Sequence, residues 1–519
     1  MKFDGEFLLH ELFRQGFTHN EDNRKLRENE FSTLISDTRL FYEIRICYGW
    51  REKNNRTVTI QDSLKVLPFS VDKVAKAFNL PIDKLTIDYE AVRAKDYTAT
   101  DEEIKYLYHD CKIVGDALKT LQEQGMDRMT AASNSLAAYK KMVDKKRFRK
   151  IFPVLACDAD IRKSYRGGYV YVNPLYQGKE VGDGLVFDVN SLYPSRMRDC
   201  KIPMGDPKRF EGAYVKDKVY DLYVQYIRVQ FKLKERHVPT IQIKKSSRFA
   251  EHEYVCDSGD EEVILCLTSI DLEIFLEHYD VFNLEYLFGY KFRSSNRLFT
   301  DFVDYWMKVK VDSEVAGNAG MRTLAKLIMN SLYGKWAVSP DVASSLPYYE
   351  DGLVRYQITP FEEREPLYIP AASFITAHAR ALTIKAIQAN YDRFLYADTD
   401  SIHLMGVYPP VGIEVDETKL GAWKWEMQFT RAKYLRAKCY MEEGYDPKEL
   451  KPFKKVTIAG MSDKLHKYVD FDNFNLGVKF SSEETGPNVV RIDPHDSNLR
   501  PIRVPGGVVL VRKDFTLQL

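Results

Sequence analysis

The sequence lacks the marks of several broad protein classes. No apolar run approaches the roughly 20 residues needed to cross a bilayer, and the first residues do not read as a basic-then-apolar leader. Its seven cysteines (Cys47, Cys111, Cys157, Cys200, Cys256, Cys266, Cys439) are odd in number and include no Cys-x-x-Cys pair. That excludes a disulfide framework or a zinc knuckle and suits buried thiols in a reducing compartment, the cytosol of a cell or of a host. Charge of one sign is missing too: 76 Lys and Arg stand against 75 Asp and Glu, a net of +1. This excludes a protein that binds polyanions by total charge, but not a basic groove beside an acidic site. Short-period repeats and low-complexity tracts are also absent. What is present is 519 residues, 45% apolar and 13% aromatic, a folded chain with length for roughly three or four folding units.

Local patterns divide the chain. Phe3 to Phe13 has helical apolar spacing, while Phe41–Cys47 and Thr57–Ile60 alternate like strands. Lys140 to Lys150 holds seven cations against the single acid Asp144, which by itself reads as a solvated helix face. Gly182 and Gly184 lead into the strand-like Leu185–Val189, and residues 298–336 read as two helices joined by a polar turn, Asp312 to Gly320. A stretch rich in Pro, Tyr and Glu follows, with hairpin-like alternation over 337–370. Residues 205–297 are aromatic-rich and disclose no chemistry by pattern.

Three acids and one helical stripe carry the chemical signal. Phe394 to Leu404 flanks Asp398-Thr399-Asp400-Ser401 with apolar residues, as two short strands meeting at a turn would. Two carboxylates so close repel, and a divalent cation with hard oxygen ligands would compensate them; an ordinary Asx turn is the other reading. Asp188 leaves the apolar strand Leu185–Val189 and fits either the same site or a helix N-cap. Arg322, Lys326, Asn330 and Tyr333 fall on one helical stripe without an acid, which suits phosphates and an aromatic contact to a base or sugar. Acids for a metal pair and cations for phosphates together describe nucleotidyl transfer.

At these residues a resemblance becomes specific. Asp188-Val189-Asn190-Ser191-Leu192-Tyr193-Pro194-Ser195 resembles the first palm motif of family B DNA polymerases, Lys326 to Gly334 their fingers motif, and Tyr396-Ala397-Asp398-Thr399-Asp400-Ser401 their second acidic motif, in family order. The protein-primed branch of small tailed phages, the phi-29 type, is the closer match. Tyr165-Arg166-Gly167-Gly168, Thr376-Ala377-His378-Ala379-Arg380, Lys438-Cys439-Tyr440 within the basic run Arg431–Lys438, Lys455 to Asp463, and Val504 to Val511 are similar to that branch. The resemblance implies an α+β, multidomain right-hand polymerase: a partial RNase H-like 3′–5′ exonuclease domain over 1–130, palm over 131–199 and 372–473, fingers over 298–336, thumb over 474–519. It implies insertions over 200–297, touching the priming protein, and 337–371, serving strand displacement and processivity.

Roles follow by the same resemblance. Asp188 and Asp400 would be principal metal ligands, with the Val189 carbonyl and Asp398 supporting, for two Mg²⁺ ions that Mn²⁺ replaces. Lys326, Arg322 and Lys310 would hold the triphosphate; Tyr193 would lie under the sugar, and Asn330 and Tyr333 would complete the nucleotide site. Tyr165, Arg166, Gly167, Gly168, Thr376, Arg380, Arg436, Lys438 and Tyr440 would touch primer-template DNA. The expected partners are DNA, dNTPs and a terminal priming protein, for a monomeric, template-dependent DNA polymerase in the host cytoplasm.

The N-terminal region resembles the exonuclease incompletely. Asp4 matches its second motif, Tyr106 and Asp110 its third, and Lys84 an assisting lysine, while the Asp-x-Glu strand of its first motif would lie upstream of residue 1. The expectation is an N-terminally truncated chain without proofreading. The competing class is a non-catalytic remnant that binds DNA or a priming protein, which the intact polymerase acids oppose.

Overall fold

The computed structural model describes residues 3–22, 24–51, 54–88, 91, 93, 97–242, 254–446 and 451–518. They fall into two compact units, each assembled from separated stretches of chain. Among the described residues no helix is long and apolar enough to cross a membrane. All seven cysteines are free thiols.

The first unit comprises Met1–Phe148, Asp301–Pro366 and Pro501–Val509. Helix Asp4–Arg14 buries Leu9 and Leu12 against Phe31, Ile35, Phe41 and Ile44 of a four-stranded sheet. The sheet runs in the order Thr18–His19, Glu30–Ile35, Phe41–Arg51, Asn54–Gln61, with only the first pair parallel. The strands foreseen at Phe41 and Thr57 are longer than their alternating cores, because their pairing continues as far as Arg51 opposite Asn54. Helix Asp101–Glu123 starts at a capping box made by Thr100 and Glu103.

Helices Thr300–Val315 and Ala319–Lys335 form the expected pair, but their connection is shorter than the polar segment suggested. Lys308 and Asp312 pair at i, i+4 and carry the first helix through Asp312; Gly317 at φ 66° ends it, and Asn318 caps the second through the Met321 amide. The second helix packs on helix Ala131–Val143, where the Ser135 hydroxyl donates to the Ile328 carbonyl at 2.6 Å. The seven cations of Lys140–Lys150 are all exposed, as a solvated face requires, while Tyr139 and Phe148 point inward to stack around Trp336. Hairpin Ser345–Glu350/Leu353–Ile358 turns at Asp351-Gly352, both at positive φ.

The second unit comprises Arg149–Thr300, Leu367–Arg500 and Leu510–Leu519. Its main sheet is antiparallel, ordered Pro452–Ile458, Cys439–Tyr445, Trp423–Arg436, Gly184–Val189, Ser401–Met405, Phe394–Asp398, Val170–Val172, with Glu180–Val181 on the far end of the third strand. Helix Ile369–Ala389, apolar on nearly every side, covers one face and shares a core with Leu185, Phe187, Ile402, Leu404 and Trp423. Gly184 is required by close approach: a Cβ there would stand 2.1 Å from the Phe429 ring and 2.5 Å from the Leu404 carbonyl. A second antiparallel sheet, Val263–Thr268, Leu222–Leu233, Tyr279–Ser295, Ile202–Glu211, packs on helix Ser269–His278 and accounts for the aromatic stretch without chemistry.

Candidate active site

Asp188 and the Asp398–Asp400 hairpin meet at the centre of the main sheet. Asp188 is the penultimate residue of Gly184–Val189, opposite Ser401 on one neighbouring strand and Lys424 on the other. It is not an N-cap; Ser191 at φ 54° precedes helix Leu192–Asp199. Strands Phe394–Asp398 and Ser401–Met405 are joined by Thr399 and Asp400 alone, with Thr399 at φ 65°. The turn is fastened on three sides. The Val189 amide donates to the Asp400 carbonyl at 2.7 Å, the Thr399 amide to the Tyr169 carbonyl at 2.7 Å, and the Thr383 hydroxyl to the Thr399 carbonyl at 2.8 Å.

Electrostatics at this point favour a cation. Burial pushes the Asp188 carboxyl up to about 7, and the charges of Asp400 and Glu426 add to it. Asp400 is raised as well, by burial first and then by Asp398 and Glu426. Two half-buried carboxyls that resist ionising are the donor set a divalent cation relieves, so the pair fits such an ion. Glu426 was not foreseen. It is exposed at a β-bulge between Trp425 and Met427, where strand Trp423–Arg436 shifts register against Asp188's strand.

Asp398 stands differently from the expectation of three acids around a metal. Its Oδ1 receives the Lys438 ammonium at 2.6 Å and its Oδ2 the Tyr396 hydroxyl at 3.2 Å. Among the described residues no three Asp, Glu, His or Cys side chains converge to hold an ion as they stand. Asp398 is engaged by Lys438, while Asp188 and Asp400 are the two acids of the site whose carboxyls burial raises.

Several residues expected at DNA serve the interior instead. Arg380 is 2% exposed; its guanidinium grips Asp271 bidentately at 2.8 Å and donates to the Arg166 and Gly167 carbonyls at 2.7 and 2.8 Å. Thr376 is buried and bonded to the Ala372 carbonyl within its own helix. Arg166 is buried on the Cys266 carbonyl at 3.0 Å. Arg380 thus holds the Tyr165–Gly168 loop from behind through those two carbonyls, Arg166 anchors the loop to the Cys266 carbonyl, and a strand on the surface could not touch the side chains of Arg380, Thr376 or Arg166. Tyr165 is half-buried and Gly167 exposed. Gly168 is pressed against the active turn: a Cβ there would lie 2.6 Å from the Thr399 side chain and 2.9 Å from the Tyr193 hydroxyl.

The basic run Arg431–Lys438 is likewise mostly spoken for. Arg431 forms a bidentate pair with Glu180, Lys433 donates to Asn475 at 2.7 Å, and Arg436 is buried on the Gln518 carbonyl at 2.7 Å. Tyr440 is a buried ring. Lys438, at φ 53° in the turn before Cys439, is the cation of this run that reaches an active-site acid.

In the first unit, Arg322, Lys326 and Asn330 are exposed along helix Ala319–Lys335 with Tyr333 half-buried, the stripe the spacing predicts. Glu314 of the preceding helix reaches Arg322 at 3.3 Å, so the stripe does have an acidic neighbour. Lys310 is half-buried on helix Thr300–Val315. Near the N-terminus Lys84 meets both Asp110 and the Tyr106 hydroxyl at 3.0 Å. Burial opposes the Lys84 charge, but these partners outweigh it and raise its pKa. Asp4 is exposed in the first turn of helix Asp4–Arg14.

A family model described as DNA polymerase type B, organellar and viral, matches residues 1–100 and 93–418. The chain belongs to that family. This type B polymerase is 45% identical to the DNA polymerase of Bacillus phage Nf, over 100% of this chain and 90% of the relative. It is 43% identical to that of Bacillus phage phi29, over 100% and 89%, and 32% identical to that of Streptococcus phage Cp-1, over 94% and 84%. The structure of phi29 DNA polymerase in an orthorhombic crystal form superposes with a TM-score of 0.92 at 42% identity, covering 100% of this chain and 90% of that one. The same enzyme complexed with primer-template DNA and incoming nucleotide substrates gives 0.90 at 43%, over the same shares. The polymerase is a DNA-directed DNA polymerase of α+β, right-hand fold, and its family implies dependence on a divalent metal.

Proposed function

We propose that Asp188 and Asp400 hold the reaction's metal, with the Val189 carbonyl and Asp398 in support, and that the chain extends a primer by one dNTP at a time on a DNA template. The primer 3′-hydroxyl forms a bond to the α-phosphorus while the bond to the departing pyrophosphate breaks. Supplied as two Mg²⁺ ions, for which Mn²⁺ substitutes, the metal would polarise the attacking and leaving oxygens. Lys326, Arg322 and Lys310 neutralise the triphosphate, Tyr193 lies beneath the sugar, and Asn330 and Tyr333 border the nascent pair. The observation that carries this reading is the Asp188–Asp400 pair, whose carboxyls burial and neighbouring acids push up. Asp400→Asn should abolish single-nucleotide incorporation in Mg²⁺; near-normal incorporation by that variant would remove the assignment.

The domain ranges read from the sequence are proposed with it, as are a terminal protein as primer, a monomeric state and the host cytoplasm as location. Priming is tested by supplying a linear genome end with and without the neighbouring gene's product, beside an annealed primer. The Lys84–Tyr106–Asp110 cluster, with Asp4, is proposed as part of the 3′–5′ exonuclease portion. Mismatch excision by Asp110→Ala at the rate of the parent chain would overturn that assignment.

A further inference from the structure

Beneath the active hairpin lies a polar network that the reaction chemistry does not use. Glu442, on strand Cys439–Tyr445, is 0% exposed, and His403, on strand Ser401–Met405, is 1% exposed. Glu442 Oε1 accepts from the Tyr434 hydroxyl at 2.9 Å and lies 2.5 Å from His403 Nδ1, itself 3.2 Å from that hydroxyl. The other oxygen, Oε2, has no hydrogen-bond partner among the described residues. Burial opposes charge on Glu442, but His403, Lys455 and Tyr434 face it and keep it below the ordinary carboxylate range. An apolar trio of similar volume would hold these strands at least as well, so the network is an expensive way to supply stability alone.

Its position suggests what it supplies. His403 belongs to the hairpin that carries Asp398 and Asp400. Tyr434 and Glu442 belong to the hairpin on the other side of strand Gly184–Val189, whose turn carries Lys438. The two hairpins meet again at the surface: Lys438 Nζ reaches Asp398 at 2.6 Å, and the Tyr396 hydroxyl accepts from the Lys438 amide at 3.0 Å while donating to Asp398. Between surface and network the rings of Tyr396, Tyr434 and Tyr440 pack with centroids 5.1 to 5.9 Å apart. Sliding one hairpin against the other would therefore break the network below and move Lys438 off Asp398 above.

We propose that Glu442, His403 and Tyr434 are positioning residues that fix Lys438 against Asp398 during nucleotidyl transfer. None of the three touches a reacting atom. This rests on the reading of Asp188, Asp398 and Asp400 as the reaction centre.

The test uses the full chain on an annealed primer-template, with kcat, the KM for dNTP and the thermal midpoint measured for Glu442→Leu, Tyr434→Phe, Lys438→Ala and the doubles with Lys438→Ala. Supporting partners of this kind typically cost about 10- to 100-fold when lost, which is the fall in kcat expected for Glu442→Leu, with a smaller fall for Tyr434→Phe and an unchanged KM. Because the network acts through Lys438, each double should be no slower than Lys438→Ala alone. Losses that multiply in the doubles, or wild-type kcat in the single network variants, would overturn the proposal. Should Glu442→Leu fail to fold, the Tyr434→Phe cycle decides, since it removes one oxygen and leaves the ring. Asp400→Asn runs alongside: if it keeps incorporating, the reaction-centre reading fails; if it is dead while the losses multiply, only the positioning role fails.

Discussion

Lowering the pH from about 8.5 to about 6 should weaken the hold of this polymerase on a divalent cation, by a route that starts at Asp188. A rise of its carboxyl from the ordinary 3.8 to about 7 corresponds to roughly 4 kcal/mol in favour of the protonated form, at about 1.4 kcal/mol per tenfold. Solvent reaching the half-buried group brings the usable part nearer ~2 kcal/mol. The sign follows from the folded value lying above the unfolded one: between about pH 4 and pH 7 the metal-free fold binds the extra proton, so its stability falls as pH rises through that window. A cation needs the ionised form and must displace that proton, so its affinity should drop about tenfold per pH unit below about 7. Calorimetric titration with Mg²⁺ in two buffers of different ionisation heat reads the proton directly. About one proton should leave per chain near pH 6 and almost none near pH 8.5. In Asp400→Asn the second cause of the rise is gone while burial remains, so the break should move part of the way to lower pH. No proton release near pH 6, or an affinity flat from pH 6 to 8, would refute the reasoning.

Gly168→Ala places a methyl 2.6 Å from the Thr399 side chain, and displacing that turn should lower kcat by about 10- to 100-fold with little change in thermal midpoint; an unaffected kcat would show that the turn gives way freely. Asp271→Ala leaves the Arg380 guanidinium buried without its counter-charge and should cost about 3 to 5 kcal/mol in urea unfolding of the second unit. Asp312→Ala, which removes the exposed pair with Lys308, should leave the urea midpoint nearly unchanged, and equal losses from the two substitutions would contradict the role given to burial. Lys326→Ala should raise the KM for dNTP while leaving DNA binding unchanged, as measured by steady-state incorporation beside a gel-shift titration.

The legible parts of this molecule are those whose signal is local. The alternation around Asp398 and Asp400 specifies a hairpin, and the 3.6-residue spacing of Arg322, Lys326 and Asn330 specifies an exposed stripe; both are present. The illegible parts depend on partners far along the chain. A basic residue announces its charge but not the side it faces: Arg380 turns inward because Asp271, over a hundred residues earlier, waits there with two oxygens. Arg431, Lys433 and Arg436 look like a track for phosphates until Glu180, Asn475 and the Gln518 carbonyl claim them. Glu426 gave no signal because a bulge is a property of two strands, and only the offset of Trp425 and Met427 against Asp188's strand exposes it.

The strand that bears Asp188 has a consequence for synthesis. Both of its neighbours in the sheet, Ser401–Met405 and Trp423–Arg436, come much later in the chain. At ordinary translation rates of 5–20 residues per second, about two hundred residues of delay leave Leu185-Val186-Phe187 with neither edge paired for roughly 10 to 40 seconds. Until the hairpin emerges, a nascent chain carries an apolar ribbon open on both sides, the form most prone to pair with another copy. Fragments ending before Ser401 should therefore aggregate even where the 519-residue chain does not, and Asp188 meets the Asp398–Asp400 hairpin only when most of the protein has left the ribosome.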